Sequence, residues 1–528
     1  MGRKETTMAT NGINASTLRL TGLTSGLDTE SIVKSLLEID QLKVNKQQKL
    51  ITKLEWQGEA YRSVNLQLKN FREKYMSVLS SDNMYTKSAY NLFNATLTTD
   101  TSAVKVTAGS SAIAGAYTIN SIDQLATAAT VSSGAVKMGG DVSLNTKLSE
   151  LRGIEFHEEE IPGEVGEDGE IGESTTVRSL SFSINGEEFT FSDSATLSDV
   201  VSTVNSNTKA GVKMSYSSLK QGLTITSNTT GASSSVTILN NKGNFFGENS
   251  VSGIENGTKT GQNAVLTIEN VQVEKSTNTF TIDGITYSLK AESKNTAINF
   301  SVERDVDAVV NKISSFIDSY NELIKGLQSK LSEAVYSTFE PLTDSERDQL
   351  TEKQADQWEE KAKSGLLRND NKLSSLLSTL RGAFYTAVES AGISAYDIGL
   401  TTGSYSDGGK ITVDKEKLKK AIQTNPEQVT NLFSAVSSSS DPSVKNAQSG
   451  LVTRISNAMN SYMSYVTSET LDSNGKALSS AQEKLDVMED WLSKNEENYY
   501  ARFTAMETAL AKLNSQTSWI SSLLGSST

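Results

Sequence analysis

The chain has 528 residues and a formal net charge of −14, with 63 Asp and Glu against 49 Lys and Arg, which excludes a basic nucleic-acid footprint. It holds no cysteine and one histidine, His157, so disulfides, thiolate metal sites and multi-histidine metal sites are excluded. Such a length allows roughly three or four domains, and 36% hydrophobic content suits small cores and surface-rich β modules better than one large enzyme core.

Residues 1–27 are polar, small and aperiodic, so they are expected to be disordered. Asp28 is placed to cap a first long helix, with Ile32, Val33, Leu36 and Leu37 behind it. Its apolar register dissolves between Asp40 and Lys49. It resumes with Leu50, Leu54, Gln57, Tyr61, Val64, Leu68, Phe71, Tyr75 and Val78, stepping three and four. At Ser80–Asn83 the helical period stops. From Asn91 alternation predicts strands over 91–97, 104–106 and 117–119.

Residues 131–300 read as one or two β modules with an internal repeat. The segment 182–191 matches 280–289, and the turns Asn185-Gly186 and Asp283-Gly284 are strong hairpin signals. A helix over 196–205 and strands over 212–216, 223–226 and 236–239 follow the first hairpin. Residues 155–173 carry nine carboxylates and no Lys or Arg, with Gly163, Gly166, Gly169 and Gly172 recurring every third position. Four triplets are too few for a collagen helix. Glu167, Asp168 and Glu170 offer hard oxygens, but their spacing fits no calcium loop, so a self-repelling solvated loop is the expectation.

At Arg304 the period returns to helix, with a broad apolar face through Val306, Val310, Ile313, Phe316, Ile317, Tyr320, Ile324 and Leu327. Thr343 to Glu346 forms a capping box for a helix expected to stop at Gly365. A further helix is expected over 371–390, then a hairpin over 398–413 turning at Asp407-Gly408-Gly409. Asn425 and Pro426 open a short helix. The last helices are expected from about Val444.

The most regular stretch is the end. Leu478, Ala481, Leu485, Met488, Leu492, Asn495, Tyr499, Arg502, Met506, Ala509, Leu513, Gln516, Ile520 and Leu523 step three and four without a break. A seam of that period pairs with another helix, and the first long helix is the expected partner. Asn495, Arg502 and Gln516 on the seam weaken it and favour one register. The candidate coiled-coil and assembly residues are therefore Leu50, Leu54, Tyr61, Val64, Leu68 and Phe71 with Leu485, Met488, Leu492, Tyr499, Met506, Leu513, Ile520 and Leu523.

No GxSxG, phosphate loop or GxGxxG motif is present, so no enzyme, cofactor or metal site is predicted. No run of 18 apolar residues exists, and the first thirty residues lack an apolar central segment; neither a membrane span nor a Sec-type signal is expected.

Residues 20–33, with Gly22-Leu23-Thr24-Ser25-Gly26-Leu27-Asp28, and the run Tyr61-Arg62-Ser63-Val64-Asn65 resemble the opening of the flagellar filament cap family, FliD. So do Phe316 to Leu323, Ser364 to Asp370, Gly399 to Thr402, Arg502 to Met506 and Leu513 to Gln516 in its C-terminal half, while the Asn185-Gly186 hairpin resembles a module shared with flagellins. The matches span most of 20–125 and 178–524; residues 126–177 match nothing.

The resemblance implies an α+β multidomain protein in which long terminal coiled-coil helices form a leg. On this reading 1–27 is a disordered N-terminus, and 28–80 with 444–528 is the leg. Residues 81–100 with 301–443 make a mixed core, 101–130 with 240–300 a β-rich head domain, and 131–239 a second head module. It also implies a homo-oligomeric ring of four to six subunits at the filament tip, which retains exported flagellin and promotes its folding and insertion. The implied partners are flagellin, the hook–filament junction proteins and a flagellar export chaperone. The implied route is the flagellar type III export apparatus, which a cysteine-free chain passes without cross-linking. Another axial flagellar protein or a tip adhesin is the alternative.

Overall fold

The structure, a computed structural model, describes residues 25–133, 142–161, 173–403 and 408–525. The glycine triplets of the acidic segment, Glu167, Asp168 and Glu170, the turn residue Asp407 and residues 1–24 lie outside the described residues. Contacts divide the chain into two units, 1–87 with 310–528, and 88–309.

The chain begins in the first unit with α1 (Thr29–Met76), capped by the Asp28 side chain, which accepts the Ser31 amide. Such a cap stabilises a helix by about 1 kcal/mol. The second unit then carries β1 (Phe93–Leu97), β2 (Val104–Ala108), β3 (Gly115–Gln124), β4 (Ala128–Ser132), β5 (His157–Ile161), β6 (Thr175–Ile184), β7 (Glu187–Ser192), α2 (Leu197–Ser206), β8 (Val212–Ser217), β9 (Gly222–Thr230), β10 (Ser235–Lys242), β11 (Gly257–Thr260), β12 (Ala264–Ile268), β13 (Val271–Lys275), β14 (Thr279–Ile282), β15 (Ile285–Leu289) and β16 (Ile298–Arg304).

These elements close two cores within the unit. In one, the sheet β1-β16-β3-β12-β13 and the sheet β14-β15-β2 cover Ile119, Ile122, Leu266, Tyr287, Phe300 and Val302. In the other, the path β11-β10-β6-β5, with β7 also paired to β6, and the sheet β4-β9-β8 cover Leu180, Phe182, Val200, Ile225, Phe245 and Phe246. Both repeat hairpins turn on left-handed residues: Asn185 and Gly186 at φ 51 and 88, Asp283 and Gly284 at φ 47 and 76. Only Gly, Asn and Asp enter that region readily, and such turns match strand twist. Thr196 and Asp199 form the capping box of α2.

Two placements differ from the sequence reading. β1, expected in a mixed core with residues from 301 onward, does pair with β16, but both strands lie in the second unit, where β16 also pairs with β3. Residues 240–260, expected with the first head domain, instead supply β11 and the buried Phe245, Phe246, Val251 and Ile254 to the core around Phe182. Alternation marks a strand without naming its sheet: β16 lies some two hundred residues from β1, and β11 joins β10, about twenty residues before it, rather than the strands that follow. The edge strand β5 is exposed at every residue.

The first unit resumes with α3 (Val306–Ser332), most of which belongs to it, then α4 (Asp344–Arg347), α5 (Glu352–Lys363), α6 (Asn371–Tyr385), β17 (Leu400–Thr402), β18 (Ile411–Val413), α7 (Lys415–Thr424), α8 (Pro426–Ser434), α9 (Pro442–Gln448), α10 (Leu451–Tyr465) and α11 (Leu471–Gly525). The expected single helix after Thr343 is two, because Thr351 and Gln354 form a second capping box that restarts it as α5. The final helices begin at Pro442, not Val444, since Asp441 caps both Ser443 and Val444 amides. No described helix is long and apolar enough to cross a membrane.

Arg454 organises this unit's interior. It is buried, and its guanidinium donates to five carbonyls and no carboxylate: Ala383, Thr386 and Ala387 at the end of α6, and Asn446 and Ala447 in α9. All five of its donors are used, and the positive charge faces helix C-termini, where it is favoured.

Candidate assembly site: the terminal helix pair

α1 has 48 residues and α11 has 55, about 72 and 82 Å at 1.5 Å per residue. They run antiparallel: Asn474 Nδ2 donates to the Leu54 carbonyl at 3.0 Å, Gln47 Nε2 to the Ala481 carbonyl at 2.8 Å, and Ser25 Oγ to the Glu507 carboxylate. Val44, Ile51, Ala481 and Leu485 form the buried cluster between them, with Leu54, Leu478, Met488 and Leu492 packed against it.

The seam of α1 is therefore Val44, Gln47, Ile51, Leu54 and Gly58. Leu50, expected on it, is 45% exposed. The sequence pointed to Leu50 because the true seam includes a glutamine and a glycine, which an apolar pattern skips. Their pairing explains both. Each amide reaches a backbone carbonyl across a small residue: Gln47 at Ala481, and Asn474 beside Gly58, where an added Cβ would lie 3.4 Å from Nδ2. The helix runs unbroken through 40–49, where the sequence suggested a loss of register.

Beyond Gly58, α1 changes partner. Tyr61, Val64, Leu68 and Phe71 are buried, but in the helical core of this unit. Phe71 packs tilted and Tyr75 edge-on against Phe316 of α3, at centroid separations of 5.7 and 5.2 Å. The Tyr75 hydroxyl meets Ser319 Oγ at 2.7 Å. Tyr61 donates to Asp370 Oδ2 at 2.8 Å, while Asp370 Oδ1 accepts the Leu373 amide and so caps α6. Burial first, then the Asp370 bond and charge, pushes the Tyr61 phenol far above its ordinary value. Burial does the same to Tyr462 on α10, reinforced by Asp370 and Tyr61.

On α11 the seam fades outward. Ala481 and Leu485 are buried, Leu478, Met488, Leu492, Asn495, Tyr499 and Met506 are half-buried, and Arg502 and Ala509 are exposed. Past Glu507, where Ser25 bonds, Leu513, Gln516 and Ile520 are exposed with Trp519; the Leu523 side chain lies outside what is described. Of the sequence-predicted residues the structure thus places Leu54, Leu485, Met488 and Leu492 along one seam, Leu54 at the Asn474 end and the other three further along α11, and leaves Leu513 and Ile520 uncovered.

A feature absent from the sequence reading separates α10 from α11. Val466–Thr470 is a π turn. Thr467 and Ser468 there bond back to the carbonyls of Met463 and Ser464. Among the described residues no group of three His, Cys, Asp or Glu is placed to hold a metal ion.

A long helix pair with an uncovered apolar end, joined in one chain to β modules, defines a structural, self-assembling protein. The chain is similar along its length to known proteins of that kind. It is 31% identical over 540 residues to the flagellar hook-associated protein 2 of Halalkalibacterium halodurans, covering 94% of this chain and 98% of that one. It is 25% identical over 518 residues to the same protein of Escherichia coli K12, covering 94% and 96%. Among solved structures, the flagellar cap protein FliD D1-D2-D3 domains from Escherichia coli superpose with a TM-score of 0.51 at 21% identity, covering 79% of this chain and 99% of that one. The family's N-terminal and C-terminal profiles match residues 25–129 and 261–515. The chain belongs to the flagellar hook-associated protein 2 family, the caps of the bacterial flagellar filament.

Proposed function

We propose that the protein works as an oligomeric cap whose terminal helix pair is a leg seated in the filament end, while its β modules retain exported flagellin and promote its folding and insertion. The observation that carries this is the uncovered length of α11. Eighteen residues, 508–525, continue past the level of Ser25 and present Leu513, Trp519 and Ile520 to solvent. An exposed apolar helix end is unfavourable in an isolated subunit and is satisfied by neighbouring helices.

Four to six copies form the ring. Its partners are flagellin, the hook–filament junction proteins and an export chaperone, and it leaves the cell by the flagellar type III apparatus. Its action is templating by differential contacts, with no covalent chemistry and no cofactor. The candidate assembly residues are those on the uncovered face, Leu513 and Ile520 above all.

A strain producing the chain without residues 478–528 is expected to secrete flagellin into the medium and grow no filaments, while the β modules of the truncated protein still fold. Normal filaments from that strain would overturn the reading. Antibody labelling along the shaft rather than at the tip would instead favour a junction protein or a flagellin.

A further inference from the structure

The buried face of the C-terminal helices changes phase once. Along α10 it passes through Leu451, Ile455, Met459, Tyr462 and Val466, stepping three and four. Continued without interruption, that stripe reaches Ser473, Ala477, Ser480 and Lys484, and all four are exposed. The face that meets α1 is one residue later: Asn474, Leu478, Ala481 and Leu485. From Val466 to Asn474 is eight positions where the uninterrupted stripe has seven. The extra residue is taken up in the π turn Val466–Thr470. A π turn is a one-residue insertion into an α-helix, and each residue advances the helix by about 100°.

We propose that this π turn is a phase-setting element: its extra residue rotates α11 so that Asn474 and Ala481 meet Gly58 and Gln47 of α1. The two amide contacts make that phase the one that fits. On α1 the seam residues Val44, Gln47, Ile51, Leu54 and Gly58 include one glycine, and Asn474 sits beside it. On α11 the positions Leu478, Ala481, Leu485, Met488 and Leu492 include one small residue, and Gln47 reaches its carbonyl. Rotating α11 back by one residue would bring the Lys484 ammonium and the Ser480 hydroxyl towards the buried Val44 and Ile51, and would turn Leu478 and Leu485 to water. Burying such a charge without a partner is strongly unfavourable. The inference concerns how the pair is formed and stands whether or not the pair serves as a leg.

The chain has no cysteine, so an engineered pair reports this directly. Val44→Cys with Leu485→Cys joins two members of the buried cluster. In the full-length chain this pair is expected to close under mild oxidation. Deleting Ser468, an exposed residue of the π turn, leaves seven positions from Val466 to the asparagine, so an uninterrupted α-helix presents the same face and the pair is expected to close as before. Inserting one alanine between Asp472 and Ser473 in the otherwise unchanged chain adds a residue that the single π turn does not absorb, and is expected to slow closure by at least about tenfold, because disulfides do not form when Cβ vectors point apart. Deleting Ser468 from the inserted chain returns the spacing to eight and is expected to restore closure. Slow closure in the Ser468 deletion alone, unchanged closure in the inserted chain, or failure of the deletion to rescue the inserted chain overturns the proposal.

Discussion

The two halves of α1 differ in what surrounds them. From Val44 to Gly58 the helix buries its apolar side chains against α11, along a seam that includes a glutamine and a glycine, while Lys49 reaches Glu346 of α4 and Trp56 lies under Lys363 of α5. From Tyr61 to Tyr75 it is enclosed by its unit's core, with Val64 and Leu68 fully buried and an aromatic cluster at its end. One helix therefore carries a segment that folds with the core and a segment whose stability depends on pairing. The difference shows that burial along a single uninterrupted helix reports its partners rather than its own propensity.

The sharpest way to break that comparison is truncation on either side of Gly58. Leu68→Ala removes a fully buried side chain from a filled core and is expected to cost about 3–4 kcal/mol, read by chemical denaturation. Leu54→Ala, on the half-buried seam, is expected to cost about 1 kcal/mol. Equal losses would show that the two halves are equally enclosed.

Arg454→Lys comes between these. A lysine has three donors where five carbonyls now accept, so it leaves helix ends unsatisfied and is expected to destabilise by about 2–3 kcal/mol. The loss should fall on the unit containing α1, and thermal unfolding should show the β modules melting as before.

Alkaline titration sharpens the comparison between units. Burial, followed by the charges of Tyr117, Asp283 and Glu269, pushes the Tyr287 phenol up to about 12. In the folded state it keeps its proton where the unfolded chain, with an ordinary phenol near 10, loses it. Its contribution is fully present below about pH 10 and is lost as pH rises towards 12. Tyr61, Tyr320 and Tyr462 shift in the same direction, each mainly through burial. Melting temperature is therefore expected to show no decline from these groups below about pH 10 and a decline above it, steeper for the unit holding three such phenols.

The smallest effect is expected from Gln47→Leu with Asn474→Leu. Polar seam residues are often costly to stability and valuable for specificity. The double variant should change stability by less than about 1 kcal/mol, while the cysteine pair Val44–Leu485 loses its selectivity over one placed a heptad away at Leu492.

Local chemistry made much of the fold legible. Asp28 and Thr343 are caps because a short side-chain oxygen at the start of a helix has a free amide to accept. Asn185-Gly186 and Asp283-Gly284 turn where residues tolerant of positive φ interrupt alternation. The pairing of the two ends was legible from period alone. Its details were not. A stripe that steps three and four reads the same on both sides of a single inserted residue, so the π turn leaves no mark. Ile51 and Leu50 are equally apolar, and only the position of Gly58 opposite Asn474 decides between them. The partner of β1 lies some two hundred residues away, beyond any local pattern.

The edge strand β5 carries Glu158, Glu159 and Glu160 and is exposed throughout. Arg178 and Lys242 reach two of these carboxylates from neighbouring strands. An unpaired strand edge invites another chain to continue the ladder, and closely spaced charge discourages it. The charged border of β5 therefore discourages a further strand, whether from a second copy or from any extended chain, from adding to this sheet.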